Sequence, residues 1–393
     1  MKRMSSQMGI RTGKANKTIA DRAMTRSKMI LYMAQANDLQ QKACWDNNRL
    51  HIISTGMADK FQNILITGAE GFIGSHLVEA LVREGRHVRA MAQYNAFGHH
   101  GWLDTLPAAT LKQVELVMGD VRDPFSVRDA MRGMDAVMHL AALIAIPYSY
   151  VAPASYVEVN TMGTLNVLQA ARDLGIRKVV HTSTSEVYGT AQSVPINETH
   201  PLVGQSPYSA SKIGADQMAN AYHRSFGLPV SIARPFNTYG PRQSLRAVIP
   251  TIILQALNGS AQLSLGSLRP TRDFSYVTDI VSGLIAVLDS PRSVGETINL
   301  GSGFEISIGD VVGMVETITG KKFSVSTDNA RIRPDDSEVE RLCCDAGKAK
   351  KLLAWQPRFY GIKGFKTGLE KTITWYAKPE NNGHYGDVRR YAL

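Results

Sequence analysis

The feature that most constrains the fold is an apolar strand at residues 63–67 that runs through a glycine-rich turn into an amphipathic helix at residues 72–83. Gly68 permits the tight turn, Gly71 lets the backbone approach a diphosphate, and Gly74 allows the helix to pack closely on the strand. With the glycines in this strand–turn–helix order, the sequence predicts a bound dinucleotide whose phosphates lie at the helix N-terminus.

Strand-like and helix-like segments alternate from residue 62 onward. The strand candidates are short and rich in aliphatic and β-branched residues, as buried parallel strands are. They lie at residues 63–67, 87–92, 113–118, 136–140, 178–182 and 229–233. The alternation predicts an α/β fold in which helices cover both faces of a doubly wound parallel sheet.

Past residue 235 the pattern loosens into segments punctuated by Pro and Gly, with a short helix at residues 249–257. We therefore predict a dinucleotide-binding domain at residues 57–235 and a smaller lobe at residues 236–380 that mainly binds the substrate, with the ligands in the cleft between them. We predict that residues 1–56 form a poorly ordered basic extension and that residues 381–393 form a tail.

The net charge of +10 does not indicate a nucleic-acid-binding surface, because most of it lies at the start of the chain. Residues 1–56 contain ten Lys or Arg against three Asp, so the rest of the chain carries little net charge. No apolar run approaches the length that spans a bilayer, and the three cysteines form no C-x-x-C pair. We expect a cytoplasmic protein with no nucleic-acid partner, no membrane partner and no metal.

The residues after the second and third strands bear on the choice of cofactor. An acidic residue that closes the second strand would bind the adenosine ribose of NAD, but Ala92 and Gln93 stand there. No Arg or Lys follows to hold the 2′-phosphate of NADP, so the sequence favours NAD. Asp120 is a candidate for the adenine, although a simple turn aspartate explains it equally well. The predicted cofactor contacts are Gly68, Gly71, Phe72, Ile73, Gly74, Asp120, Val121, Leu140, Ala141, Ala142, Tyr208 and Lys212.

A second group of polar residues surrounds the start of the helix after the fifth strand. Tyr208 and Lys212 lie one turn apart on one helix face. A cation in that position is expected to lower the pKa of the phenol, so that Tyr208 acts as a base toward a hydroxyl group. Because the preceding strand ends in a polar run with Thr184, Ser185 and Glu186, we predict a catalytic site at this edge of the sheet.

These motifs together resemble the extended short-chain dehydrogenase/reductase family that modifies nucleotide sugars, and the resemblance extends from about residue 63 to residue 376. It rests also on residues 233–242, 271–279 and 333–334. The resemblance implies a Rossmann-type sheet, NAD as cofactor, a nucleotide-diphosphate sugar as substrate, and a homodimer packed through helices near residues 161–173 and 208–224. It further implies that the substrate contacts are Asn237, Arg242, Arg272 and Arg333.

Within that family, Glu186 bears on which reaction is catalysed. The 4,6-dehydratases carry Thr-Asp-Glu, in which Glu removes the C5 proton and Asp protonates the departing C6 hydroxyl. This chain carries T-S-E at residues 184–186, which equally resembles UDP-glucuronate decarboxylases. The R-D-F run at residues 272–274 resembles the dehydratases instead. Residues 93–97 with 101–104, and residues 242–244 with 247–250, resemble the subgroup that acts on nucleotide-linked N-acetylglucosamine in legionaminic acid synthesis.

The resemblance implies an NAD-dependent hydro-lyase that converts UDP- or GDP-N-acetylglucosamine to the 4-keto-6-deoxy sugar. Tyr208 takes the C4 hydroxyl proton as hydride passes to NAD, Glu186 removes the C5 proton, water leaves C6, and the hydride returns to C6. Thr184 binds the C4 oxygen and Lys212 holds the cofactor ribose. The C6 acid is open among Glu186, Ser185 and an ordered water, and the choice among UDP, GDP and dTDP is open as well. A UDP-glucuronate decarboxylase, a nucleotide-sugar 4-epimerase and a non-catalytic dinucleotide-binding regulator remain alternatives.

Overall fold

The computed structural model describes residues 60–385. The predicted extension at residues 1–56 and most of the predicted tail therefore lie outside the described residues. The strands are β1 (Asn63–Thr67), β2 (His87–Gln93), β3 (Val114–Gly119), β4 (Ala136–His139), β5 (Lys178–Thr182), β6 (Val230–Pro235), β7 (Asn237–Tyr239), β8 (Gln262–Leu265), β9 (Thr271–Tyr276), β10 (Thr297–Leu300), β11 (Glu305–Ser307), β12 (Ser324–Thr327) and β13 (Arg341–Leu342).

Seven of these strands form the central sheet, in the order β3-β2-β1-β4-β5-β6-β10. Every neighbouring pair is parallel. The order changes direction between β1 and β4, which places the carboxyl ends of these two strands at the point where doubly wound sheets bind ligands. The structure confirms the predicted doubly wound α/β class.

Helices lie between the strands in the alternation that the sequence predicts. They are α1 (Phe72–Arg83), α2 (Ala108–Leu111), α3 (Pro124–Met131), α4 (Ile146–Val151), α5 (Pro153–Tyr156), α6 (Gly163–Asp173), α7 (Pro207–Phe226), α8 (Val248–Leu257), α9 (Val277–Asp289), α10 (Ile308–Thr319), α11 (Gly347–Leu353), α12 (Gly361–Tyr376) and α13 (Pro379–Asn382). Helix α1 packs on α9, whereas α3, α6 and α7 pack one against the next. A π-helical turn, Val157–Met162, leads directly into α6.

The core is aliphatic because the central strands are buried on both faces. In β1, the side chains of Ile64, Leu65 and Ile66 are fully buried. Strands β1 and β5 and helix α1 have the predicted bounds, and the other predicted strands differ by one or two residues at their ends. The seventh strand, β10, was not predicted.

The chain after β6 builds two smaller sheets. Strand β9 pairs antiparallel with β11 and parallel with β13 and β7, and β8 pairs with β12. Strand β10, which also follows residue 236, joins the central sheet beside β6. No helix within residues 60–385 is long and apolar enough to cross a membrane.

Candidate active site

The glycine-rich turn brings β1, α1 and the end of β4 into close contact. Gly68 has a φ of 69°, and a Cβ at this position would lie 2.7 Å from the Ala141 nitrogen. A Cβ at Gly74 would lie 2.1 Å from the Gly68 oxygen. Only glycine fits these two positions, because the neighbouring atoms belong to the backbone and cannot give way. The turn therefore holds the N-terminus of α1 against the carboxyl edge of the sheet.

The start of α1 suits the diphosphate of a dinucleotide. Gly71 is its N-cap residue and no side chain caps the helix, so the first backbone N–H groups, among them those of Phe72 and Ile73, can bind an anion. Beside them the chain after β4 is fixed by two bonds from Leu140 N to Thr67 O (3.2 Å) and from Ala141 N to Thr67 Oγ1 (3.2 Å). These residues fit the predicted cofactor, and Ala142 follows them in the chain.

The carboxylate predicted near the adenine already has a cationic partner. Asp120, just after β3, accepts bonds from Arg122 Nε (3.0 Å) and Arg122 Nη2 (2.5 Å). The bond from Arg122 lowers the pKa of Asp120. Its neighbour Val121 is buried against Gly163, where a Cβ would lie 2.8 Å from the Val121 side chain. Val121 therefore packs on the start of α6.

The predicted catalytic residues converge at the end of β5. Thr184 Oγ1 accepts a bond from Glu186 N (3.2 Å) and so caps the 3₁₀ turn Ser185–Tyr188. Helix α7 begins opposite this turn with a capping box of Ser206 and Ser209. This start places Tyr208 in the first helical turn, within hydrogen-bonding contact of Thr184.

Lys212 lies one turn further along α7, and its Nζ donates to the Thr182 oxygen (2.8 Å). Tyr208 and Lys212 are both buried. Burial lowers the pKa of Lys212 to about 8. Burial also raises the pKa of Tyr208, and the contact with Thr184 only partly opposes this effect. Desolvation of the phenolate therefore raises the pKa of Tyr208 overall in the protein chain, and the lowering effect of Lys212 stays a prediction.

A buried ionic cluster supports this site from beneath. Asp216, on α7, accepts bonds from Arg234 Nη2 (2.8 Å) and from Ser183 Oγ (2.9 Å). Its other oxygen lies 3.2 Å from His181 Nε2. Arg234 in turn donates to the Tyr188 hydroxyl (2.9 Å). The cluster ties α7, β5 and β6 together directly below the 3₁₀ turn Ser185–Tyr188, which we call the catalytic turn because it carries the predicted base Glu186.

Two arginines from the C-terminal part of the chain reach the catalytic turn. Arg333 Nη1 lies 3.9 Å from Glu186 Oε2 and 3.5 Å from Glu338 Oε1. Arg272 Nη2 donates to the same Glu338 oxygen at 3.0 Å. Burial lowers the pKa of Arg272, an effect that the charges of Glu186 and Glu338 oppose. The sequence did not single out Glu338, which lies five residues after Arg333 and closes this ion-pair network.

A cavity of about 220 Å³ adjoins this network. Its lining residues include Asn237, Gln243, Arg272, Arg333 and Glu338. The amide oxygens of Asn237 and Gln243 are buried and form no hydrogen bond with any part of the chain that the structure describes. Three of the four predicted substrate contacts therefore line one cavity, beside the predicted base Glu186.

The fourth predicted substrate contact lies elsewhere. Arg242 has a φ of 69° and forms an ion pair with Glu79 of α1 (2.7 Å). It also donates to Ser75 Oγ (3.3 Å). Arg242 therefore joins the loop after β7 to the helix that follows the glycine turn, and it does not line the cavity that holds Asn237.

Asp273, used above to favour a dehydratase, does not face the cavity. The carboxylate is fully buried and accepts bonds from Ser302 N (2.8 Å), Gly303 N (2.8 Å) and Cys344 N (3.1 Å). Successive side chains of a strand point to opposite faces, so Arg272 enters the cavity while Asp273 fixes the loop after β10. Asp273 therefore holds local structure and does not line the cavity, and the resemblance of the R-D-F run to the dehydratases stays a prediction.

Glu70, within the glycine motif, is not among the predicted cofactor contacts. The Glu70 carboxylate reaches the end of β2, where Oε1 accepts a bond from Gln93 N (3.0 Å). Within residues 60–385 no group of three or more His, Cys, Asp and Glu side chains could hold a metal ion.

The family model for GDP-mannose 4,6 dehydratase matches residues 65–371. Among solved structures, a double mutant of DesIV, a dTDP-glucose 4,6-dehydratase from Streptomyces venezuelae with NAD bound, has a TM-score of 0.73. It is 32% identical to this chain, and the match covers 83% of this chain and all of the other.

Two further similar proteins catalyse other reactions. The UDP-glucuronic acid decarboxylase 1 of Xenopus tropicalis is 32% identical over 81% of this chain and 72% of its own. The UDP-glucuronic acid 4-epimerase of Bacillus cereus, solved with UDP-glucuronic acid and NAD, has a TM-score of 0.70 and 30% identity, with 79% of this chain and 98% of the other covered. Dehydration, decarboxylation and epimerisation thus all occur among the relatives.

Proposed function

Because the chain belongs to the nucleotide-sugar dehydratases of the extended short-chain dehydrogenase/reductase family, with NAD as cofactor, we propose that it is a 4,6-dehydratase of UDP- or GDP-linked N-acetylglucosamine. Bound NAD supplies the redox chemistry, accepting a hydride from C4 and returning it to C6. The protein residues hold the sugar and move the protons.

Each catalytic side chain has a separate task in this proposal. Tyr208 removes the C4 hydroxyl proton, and Thr184, which contacts it, binds the C4 oxygen. The 4-keto group acidifies C5, where Glu186 acts as base, and the C6 hydroxyl takes a proton and leaves as water. When the hydride returns to C6, C5 regains a proton, so that the two protons taken up by Tyr208 and Glu186 are both given back. Lys212, one helical turn from Tyr208, adds a positive charge that favours the phenolate and would hold the ribose of bound NAD. The Ser185 hydroxyl, in the same 3₁₀ turn as Glu186, is one candidate to protonate the departing C6 hydroxyl, beside Glu186 and an ordered water.

The observation that carries the proposal is the position of Glu186 beside the guanidinium of Arg333. A base at C5 is needed for dehydration and is not needed for 4-epimerisation. Glu186 is a buried carboxylate, and its Oε2 lies 3.9 Å from Nη1 of Arg333, which lines the cavity. A decarboxylase must also bind a C6 carboxylate. The two guanidiniums nearest Glu186 already share Glu338, so a glucuronate would bring a third carboxylate into this network. A neutral C6 hydroxymethyl group avoids that repulsion.

The position of Gln243 supports the proposal that the sugar carries an N-acetyl group. Its Nε2 donates to the Thr238 oxygen (2.7 Å), while its Oε1 is buried without a hydrogen-bond partner among the described residues. The N–H of a sugar acetamido group would supply the donor that this oxygen lacks. Gln243 also belongs to the stretch that resembles the N-acetylglucosamine subgroup.

The experiment is a product analysis by mass spectrometry, without added cofactor, on UDP- and GDP-N-acetylglucosamine, dTDP-glucose and UDP-glucuronate. We expect loss of water from an N-acetylglucosamine nucleotide, and no change with Tyr208→Phe. Loss of carbon dioxide from UDP-glucuronate would establish the decarboxylase instead. An unchanged mass with altered chromatographic retention would indicate an epimerase, and no change at all would indicate a non-catalytic protein.

We also propose that the protein forms a homodimer through α6 and α7. These helices pack side by side, with Tyr222 donating to Gln169 Oε1 (2.7 Å). Val157 and Met162, in the π turn before α6, and Phe226, at the end of α7, are exposed apolar side chains. Light scattering of the purified protein should give twice the chain mass, and the mass of one chain would contradict this assembly.

A further inference from the structure

Glu70 places a carboxylate where the sequence of β2 lacks one. It lies in the turn between β1 and α1, and its Oε1 accepts a bond from Gln93 N at the end of β2 (3.0 Å). Its other oxygen, Oε2, is buried and has no hydrogen-bond partner among residues 60–385. No Lys or Arg of the described residues forms an ion pair with Glu70. The site therefore contains a carboxylate oxygen that is shielded from water and lacks a donor.

A bound dinucleotide would provide such a donor at this point. In dinucleotide-binding sheets, a carboxylate at the end of the second strand binds the 2′-hydroxyl of the adenosine ribose. Here Ala92 and Gln93 supply no carboxylate, but the glycine turn holds Glu70 against the same strand end. We infer that Glu70 Oε2 accepts the ribose hydroxyl of NAD, and that its charge excludes NADP by repelling the 2′-phosphate.

A purely structural role would use only half of this carboxylate. The bond to Gln93 ties the turn to β2 through Oε1 and leaves Oε2 unused. Burial raises the pKa of Glu70, and the backbone N–H groups of Gln93 and of Glu70 itself only partly oppose that rise. A desolvated oxygen without a hydrogen-bond partner is costly to keep, whereas a ribose hydroxyl would satisfy it.

The ribose can reach this oxygen only if the segment that covers it gives way. Trp102 N donates to the Glu70 backbone oxygen (3.0 Å), and a Cβ at Gly101 would lie 3.2 Å from Glu70 Cβ. The preceding residues 94–100 form neither strand nor helix. Trp102 itself packs against Trp375, His384 and Tyr385, whereas Tyr94 and Phe97 in the preceding loop are 73% and 86% exposed. We therefore expect the movement in the loop at residues 94–100, with the turn Gly101–Thr105 held in place.

The test is equilibrium binding of NAD and NADP by calorimetry to cofactor-stripped protein, with no sugar present. Glu70→Gln keeps the side-chain volume and an oxygen that can accept from Gln93, but it removes the charge. We expect the wild type to bind NAD in strong preference to NADP, and Glu70→Gln to shrink that preference by about 10- to 100-fold. Glu84→Gln, near the other end of α1, should leave the preference unchanged.

Two results would overturn the inference. One is a wild-type protein that binds NADP as tightly as NAD, which requires no variant. The other is a Glu70→Gln protein that unfolds cooperatively like the wild type and keeps the full preference for NAD. Because both measurements concern the cofactor alone, they can fail while the sugar chemistry proposed above holds, and the reverse is also true.

Discussion

Asp216 is the residue whose charge we expect to contribute most to stability. The side chain is fully buried beneath the catalytic turn, where it accepts two bonds from Arg234 and one from Ser183. Asp216→Asn preserves the volume and removes the negative charge. Arg234, which is 3% exposed, then remains as a buried cation whose closest neutral partner is the Tyr188 hydroxyl.

The expected cost follows from that unpaired cation. Removing one partner of a buried ion pair costs about 3–5 kcal/mol, because the other charge stays desolvated. Domains are stable by only about 5–15 kcal/mol, so the variant should lose a large share of its free energy of unfolding. Asp129→Asn is the matched control. Its partner is Arg132, the two side chains are 71% and 65% exposed, and such pairs contribute less than about 1 kcal/mol.

The assay is urea unfolding at one fixed NAD concentration, because bound cofactor adds stability of its own. Arg234→Met combined with Asp216→Asn should cost less than the two single variants added together, since the double variant buries no unpaired charge. Strict additivity of the two substitutions would refute this reasoning. So would an Asp216→Asn protein whose midpoint in urea matches that of Asp129→Asn.

Three further perturbations test other parts of the structure. Glu186→Gln should lower kcat by about 10²–10⁴-fold while reduced cofactor accumulates, and unchanged turnover in a stopped-flow assay would exclude Glu186 as the base. Burial lowers the pKa of Lys178 from 10.5 to about 7, so between these values the unfolded chain binds a proton that the folded protein lacks. The free energy of unfolding should therefore rise with pH across this range. Urea unfolding from pH 7 to pH 10 should show a smaller rise for Lys178→Met than for the wild type. Equal pH profiles of the two proteins would contradict this assignment. Gly74→Ala should lower the free energy of unfolding by about 1–3 kcal/mol and should reduce the amount of NAD that the purified protein holds. Gly313→Ala should change neither quantity, because a Cβ at Gly313 meets nothing within 4 Å.

The elements that the sequence predicted well are those whose signals are local. The glycine turn marks both the end of β1 and the start of α1, so the bounds of both elements agree with the prediction. Strand β5 has two adjacent valines at its centre and leads into a run of polar residues. Tyr208 and Lys212 are four residues apart on one helix, and their shared face follows from helix geometry. Thr184 contacts Tyr208 because the end of β5 fixes the position of the first residue and the start of α7 fixes the position of the second.

The features that the sequence did not reveal depend on distant contacts. Strand β10 has four residues, and only its pairing with β6 distinguishes it from a loop. Asp273 stood in a motif that resembled a reaction signature, yet its partners lie some 30 and 70 residues further along the chain. The pKa of Tyr208 depends on how completely the folded protein excludes water, a quantity that spacing along a helix does not contain.

Strand β10 gives the C-terminal part of the chain a permanent place in the nucleotide-binding sheet. Residues 236–296 leave the sheet and contribute Asn237 and Arg272 to the cavity of about 220 Å³. The chain then returns to pair beside β6, whose residues are all buried. A hybrid enzyme in which everything after residue 236 is exchanged must therefore contain a β10 that can pair with β6. Without that pairing, β6 becomes an unpaired apolar edge strand, which promotes aggregation. We expect new sugar specificities to arise more readily when the segments before and after β10 are exchanged and β10 itself is kept.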